Sequence, residues 1–235
     1  QPVSEVVVDW EVTEGAGARA HLSSFAAAHF MQAEHGLQAV LQFTTRDRNM
    51  LALERDLLGV AGFAIPNLLC LSGDPLCKGD EPDATAVNDV DSAGLVAVAA
   101  RMRDRGALPS GREIEPPPNY FIGVADTPMN PDDDWQPHGL LKKLAAGADF
   151  VQTQFCFDAE LLARYVARLQ EFDILGRLPL LIGLSPLASA RQALWMRENL
   201  FGTIIPDALI ARLEAAGDPG AEGRRICIEL IETLR

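Results

Sequence analysis

The chain predicts an α/β protein built on a parallel sheet with helices outside it. Two observations carry that prediction. Short apolar, β-branched runs alternate with longer segments whose apolar residues recur at helical spacing, and Pro-, Gly- and Asp-rich pieces follow strands directly. Strand, helix, strand repeated this regularly requires crossover helices, and those impose parallel pairing. With 235 residues, 48% of them hydrophobic, and no internal repeat, a single domain over residues 1–235 with a sizeable core is expected.

In chain order, the predicted strands are VVVDWEVT (6–13), LQAVLQFT (37–44), NLLCLSG (67–73), YFIGVA (120–125), FVQTQFCF (150–157) and LPLLIGLS (178–185). Between them, helical spacing predicts helices at 22–35, 47–62, 91–105, 137–147, 158–170 and 188–200. The segments SGDPLCKGDEPDATAVNDVDS (72–92) and DTPMNPDDDW (126–135) follow strands, so they form loops at the carboxyl end of the sheet, where α/β folds place ligands. LPSGREIEPPPN (108–119) precedes a strand and is read as a surface excursion on the opposite face.

The net charge of −13 argues against nucleic-acid and anionic-membrane partners, because phosphate surfaces reward basic proteins. No run of about 18 apolar residues occurs, and QPVSEVVVDW lacks the blocks of a signal peptide, so a soluble, cytoplasmic protein is expected. Cys70, Cys77, Cys156 and Cys227 match no zinc or redox spacing and are read as reduced, mostly buried thiols. His21, His29, His35 and His138 show no ligand spacing, so no metal is assigned.

Polar residues recur at one position. Thr13, Gln42, Thr44, Ser72 with Asp74, Asp126, Gln154 and Ser185 fall at or just beyond the ends of successive predicted strands, and that set is the candidate site. Several of these stretches have a plain structural reading beside the functional one. SGDP (72–75) can be a turn in which Asp74 bonds its own backbone. In FTTRDRN (43–49), Thr44, Thr45 and Asp47 can be helix caps, and in NDVDS (88–92) Asp91 or Ser92 caps a helix more readily than it binds a cation. Lys142 and Lys143 in LLKKLAAGA (140–148) suit a solvated helix face near a C-terminus. A buried strand amide without partners costs about 1–3 kcal/mol, so Gln152 and Gln154 in FVQTQF require something to answer them.

Taken together, VLQFTTRDRN (40–49), NLLCLSGDP (67–75), NDVDS (88–92), LLKKLAAGADFVQTQFCFD (140–158) and LIGLSPLASARQALWM (181–196) resemble the methylenetetrahydrofolate reductase family, its short bacterial type in particular. The resemblance implies a (β/α)8 TIM-type barrel, here lacking its first and eighth strands. It implies FAD across the carboxyl ends of the strands, NADH or NADPH as donor, and reduction of 5,10-methylenetetrahydrofolate to 5-methyltetrahydrofolate. Carried over residue by residue, Thr13, Ala16, Gly73 and Lys143 lie at the flavin, together with Gln42, Thr44 and Ser72 of the rim and Asp91 and Ser92 of NDVDS. Asp74 lies beside flavin and folate and tunes both, as the catalytic candidate. Gln154 and Gln192 contact the folate, and Met196 stands where the family places an aromatic side chain against it. Gln42, Ser72, Ala125 and Gln136 depart from the family's His, Arg, Tyr and Asp, which leaves open FAD held weakly, FMN, or no flavin. The family's general-acid glutamate has no counterpart; Glu11 and Glu14 are the nearest carboxylates. The alternative function is a folate- or flavin-binding subunit acting with a partner, or a flavin-free reductase; a homo-oligomer is a further possibility.

Overall fold

The computed structural model describes residues 10–234. Its strands are β1 (Trp10–Val12), β2 (Ala39–Thr44), β3 (Asn67–Leu71), β4 (Phe121–Asp126), β5 (Phe150–Phe155) and β6 (Leu180–Gly183). Its helices are α1 (Ser24–His35), α2 (Met50–Gly62), α3 (Ser92–Arg105), α4 (His138–Ala146), α5 (Ala159–Glu171), α6 (Ala190–Asn199), α7 (Asp207–Ala215) and α8 (Pro219–Thr233). The chain forms two compact units. Among the described residues, unit 1 comprises those up to 124 and 139–150, unit 2 comprises 125–138 and those from 151 onward.

In unit 1, β1, β2, β3 and β4 pair in parallel and in chain order, with Val12 opposite Leu41, Gln42 opposite Leu69 and Cys70 opposite Val124. Consecutive parallel neighbours with no reversal of order are the arrangement of (β/α) barrels rather than of doubly wound sheets. The core lies between these strands and their crossover helices. Leu41, Phe43, Leu68 and Ile122 from the strands and Leu53, Leu57, Leu95 and Met102 from the helices are fully buried. Leu53, Leu57 and Val60 of α2 lie four and three residues apart, one stripe of a helix. Asn49 starts that helix by accepting from the Ala52 amide at 2.9 Å. Asp91 does the same for α3 through the Gly94 amide at 2.8 Å, and Gly106 ends α3 at φ 55°.

In unit 2, β5 and β6 pair in parallel, Val151 opposite Leu180, with an irregularity between Gln152 and Phe155. Cys156 makes a parallel bridge to Ile204. The core gathers Phe157, Leu187, Ala193, Met196, Ile205, Ile210, Leu213, Ile226 and Leu230. In α5, Leu162, Tyr165 and Leu169 form the buried stripe, and Asp158 caps the helix through the Leu161 amide at 2.9 Å.

Two points of the sequence reading need correction. The helices α7 and α8 were not predicted, although Pro206 precedes one and Asp218-Pro219, a cap followed by proline in the first turn, opens the other. Thr44, Thr45 and Asp47 cap nothing: Thr45 continues the pairing of β2, its amide bonding Leu71 O at 3.1 Å, and the cap falls two residues past Asp47 at Asn49. Residues 6–9 of the predicted first strand lie outside the described residues. Cys70, Cys156 and Cys227 are buried free thiols and Cys77 is an exposed one. Among the described residues no helix is long and apolar enough to cross a membrane.

Candidate functional site

In unit 1 the predicted rim residues come together at the ends of β1, β2 and β3, Thr13 and Gln42 by bonding each other and the rest through neighbouring groups. Gln42 Oε1 accepts from Thr13 Oγ1 at 2.9 Å and from the Glu14 amide at 3.4 Å, while its Nε2 donates to Glu11. Ser72 Oγ accepts from the Ser92 amide at 3.2 Å, joining the β3 loop to the start of α3. Asp91 pairs with Lys142 at 2.5 Å, and that bond holds its carboxyl below the usual carboxylate range. The sequence reading gave Lys142 a solvated face; it carries this exposed ion pair as well. Lys143 also has an interaction of its own. Thr13, Ser72, Asp74 and Asp91 are exposed, whereas Thr44 is wholly buried and its hydroxyl meets Arg48 at 3.4 Å. Thr44 therefore supports the rim from behind.

Sequence reasoning missed the two arginines that organise this end of unit 1. Arg46, 5% exposed, grips Asp47 through Nε at 2.8 Å and Nη2 at 2.7 Å. Its Nη1 donates to Ala16 O at 3.0 Å and Asp74 O at 3.1 Å, and Nη2 to Gly15 O at 3.4 Å. It thus ties the loop after β1 to the loop after β3, and the Asp74 amide closes the same junction on Ala16 O at 2.8 Å. Gly73 sits at φ 89° directly over the Arg46 side chain, which a Cβ would meet at 3.2 Å, so both conformation and space favour glycine here.

Arg48 reaches Glu14 at 2.5 Å and Asp56 at 2.8 Å, and its guanidinium lies 4.7 Å from the Phe43 ring centroid. Glu14 also accepts from the Thr44 amide and, at 3.5 Å, from Ser24 Oγ. Burial holds the Glu14 carboxyl above its usual range, against the opposing pull of Arg48 and Thr44. Burial likewise pushes the Cys70 thiol up to about 12, with the Glu14 charge adding to it, so that thiol is inert. The signal for both arginines was present in TTRDRN, whose hydroxyls and carboxylate drew attention as caps while its guanidinia went unread.

In unit 2, Gln154 is half-buried at the end of β5. Its Nε2 donates to Phe201 O at 3.0 Å, and its Oε1 accepts from the Phe155 amide at 2.9 Å. Gln152 is half-buried as well and has a partner. Gln192 is exposed in the first turn of α6. Its amide bonds Ser189 Oγ at 3.1 Å and its Oε1 takes the Ala188 amide at 2.6 Å, close to a capping box. Met196 is 5% exposed and packs in the core of unit 2. Asp126 accepts from the Tyr165 hydroxyl, and Arg168 holds the loop after β4 through Trp135 O at 3.0 Å and Asp133 O at 2.6 Å. Among the described residues no group of three His, Cys, Asp or Glu is placed to hold a metal.

Comparison with known proteins adds three findings. A family model described as methylenetetrahydrofolate reductase matches residues 4–234. "Methylenetetrahydrofolate reductase 2" of Schizosaccharomyces pombe is 25% identical, aligned over 92% of this chain and 33% of its own length, so the chain spans about a third of that relative. A Clostridium thermocellum protein described as binding two copies of 5-methyl-5,6,7,8-tetrahydrofolic acid aligns with a TM-score of 0.56 at 13% identity, over 87% of this chain and 64% of that one. The last likeness shows a shared α/β fold.

Proposed function

We propose that this chain, which belongs to the methylenetetrahydrofolate reductase family, reduces 5,10-methylenetetrahydrofolate to 5-methyltetrahydrofolate with NADH or NADPH as donor and a flavin as carrier. The observation that carries the reading is the family match along residues 4–234. The folate-binding description of the Clostridium thermocellum protein supports the ligand class.

On this reading the residues divide by task. In unit 1, the exposed Thr13 and Ser72, the backbone at Ala16 and Gly73, and Lys143 would hold the flavin. The fit rests on the exposed polar side chains of the rim, beside which Gly73 turns the chain at φ 89°. Once bound, a flavin supplies the hydride relay that no side chain can. Asp74, exposed beside Gly73, would tune the ring by its charge, while Gln42, Thr44, Asp91 and Ser92 brace the rim through the bonds described above. In unit 2, Gln154 and Gln192 would bind the pterin through their carboxamides.

A second reading has one observation in its favour. Arg46, Arg48 and Lys142 are each engaged by carboxylates, which leaves those three cations committed before any phosphate arrives. That favours a chain that binds folate with little flavin of its own and works as a homo-oligomer or with a partner subunit in the cytoplasm. The visible spectrum of the purified protein, with NADH oxidation assayed against methylenetetrahydrofolate and menadione, separates the two. Yellow protein with folate-dependent turnover is the expected result; colourless protein that binds folate and never turns over refutes the reductase reading. Gln154→Ala should reduce folate-dependent turnover at least about tenfold, the worth of one lost charge-free hydrogen-bond pair in a closed site. Menadione reduction should change little, and equal losses in both assays would contradict the assignment.

A further inference from the structure

We infer that Phe201 is the aromatic platform for the folate ring in unit 2, adjoining Gln154. This rests on the folate reading above and assigns a residue that the family resemblance does not. The resemblance puts the ring-packing side chain at position 196, but Met196 is 5% exposed and filled in on every side by the unit 2 core. It has no face to offer a ligand without dismantling that core.

Phe201 is different on two independent counts. Its side chain is 77% exposed, more than any other large apolar side chain among the described residues. A lone exposed apolar residue needs no explanation by itself. The second count is what carries the inference: the backbone of this loop is fastened to the end of β5 around Gln154. Gln154 Nε2 holds Phe201 O at 3.0 Å, the Ile204 amide bonds Phe155 O at 3.1 Å, and the Phe157 amide bonds Ile204 O at 2.8 Å. Gly202 follows at φ 75° with Thr127 packed where a Cβ would stand, so the turn that presents Phe201 admits no other residue without moving. The backbone that carries the ring is thus held beside the carboxamide by four fixed features of the chain.

The chemistry of the pair specifies its ligand. An amide side chain has two donor hydrogens and two acceptor lone pairs; the bonds to Phe201 O and from the Phe155 amide use one of each. One donor and one acceptor remain on the same carboxamide, the complement of a ring edge that carries a carbonyl next to an N–H. An aromatic face next to such an edge reader selects a flat, electron-poor heteroaromatic over an aliphatic amide. The pterin of a folate has both the edge and the face.

The test is a titration of the full chain with 5-methyltetrahydrofolate, followed by calorimetry, for wild type, Phe201→Ala, Phe201→Trp and Gln154→Ala. Loss of one aromatic stacking face is expected to weaken binding by roughly 5- to 50-fold in Phe201→Ala. Phe201→Trp is expected to restore affinity, and the thermal midpoint should stay at the wild-type value because the side chain removed is on the surface. If Phe201→Ala binds as wild type while Gln154→Ala is weakened, the inference fails and the folate reading stands. If Phe201→Trp is as weak as Phe201→Ala, a ring face is not what the site uses and the inference also fails. If wild type binds no folate, both fail together.

Discussion

Replacing Arg46 with methionine removes the guanidinium that joins the β1 and β3 loops while keeping most of the side chain's volume. Five hydrogen bonds go. The two to Asp47 contribute least, because that carboxylate is 48% exposed and water takes over; an exposed ion pair is worth about 0–1 kcal/mol. The three to the carbonyls of Gly15, Ala16 and Asp74 matter more, since bonds from a charged donor are worth about 1.5–3 kcal/mol each and Gly15 lies buried. Allowing for water at the more open Asp74 carbonyl, the net loss should be about 3–5 kcal/mol, a large share of the about 5–15 kcal/mol that holds a folded domain together. Urea unfolding reads it directly. With a slope of about 2–3 kcal/mol per molar, the midpoint should fall by about 1–2.5 M at unchanged slope. A loss under about 1 kcal/mol would refute the reasoning, because it would mean that water replaces the guanidinium at all three carbonyls at little cost.

Three further outcomes are expected. Because burial raises the Glu14 carboxyl in the folded state, the native protein holds that proton more tightly than the unfolded chain. Its contribution is complete below the unfolded value and is lost as pH rises through the folded one, so above about pH 4.3 wild type should lose stability relative to Glu14→Gln, against the opposite trend of Asp47, Asp91, Asp104 and Glu229, whose carboxyls are held low; equal slopes in both proteins would contradict it. Gly123→Ala places a methyl into the Phe150 ring and should cost about 1–3 kcal/mol in the same urea assay; an unchanged midpoint would show that the ring gives way freely. Tyr120→Phe removes the 2.6 Å bond to Leu57 O at a 3% exposed site and should cost about 0.5–1.5 kcal/mol by thermal melting; an unchanged melt would show the bond contributes nothing net.

The candidate site was legible in one dimension only. Strand ends could be found because the apolar runs stop there, so Thr13, Gln42, Ser72, Asp74 and Gln154 could be marked as a set before any contact was known. What each faces could not be found in that way. Gln154 answers to Phe201, 47 positions away, and Ser72 to Ser92, 20 away. Met196 matched a family position by spacing, yet α6 turns it into the core. The helices α7 and α8 were open to prediction from Pro206 and Asp218-Pro219; there the signals were local and were passed over.

The sequence by itself determined the alternation of elements, the helix starts at Asp91 and Asp158, and the parallel pairing that crossovers impose, since each depends on neighbours within a few residues. Only the tertiary structure decided the charge partners. Arg46 and Arg48 stand two residues apart in one motif, yet beyond its neighbour Asp47 the first reaches loop carbonyls, while the second pairs with Glu14 and Asp56. A guanidinium bonds whatever oxygens the fold brings within about 3 Å, and those of Gly15, Ala16, Asp74 and Glu14 arrive from across the chain, carrying no mark in the sequence beside it.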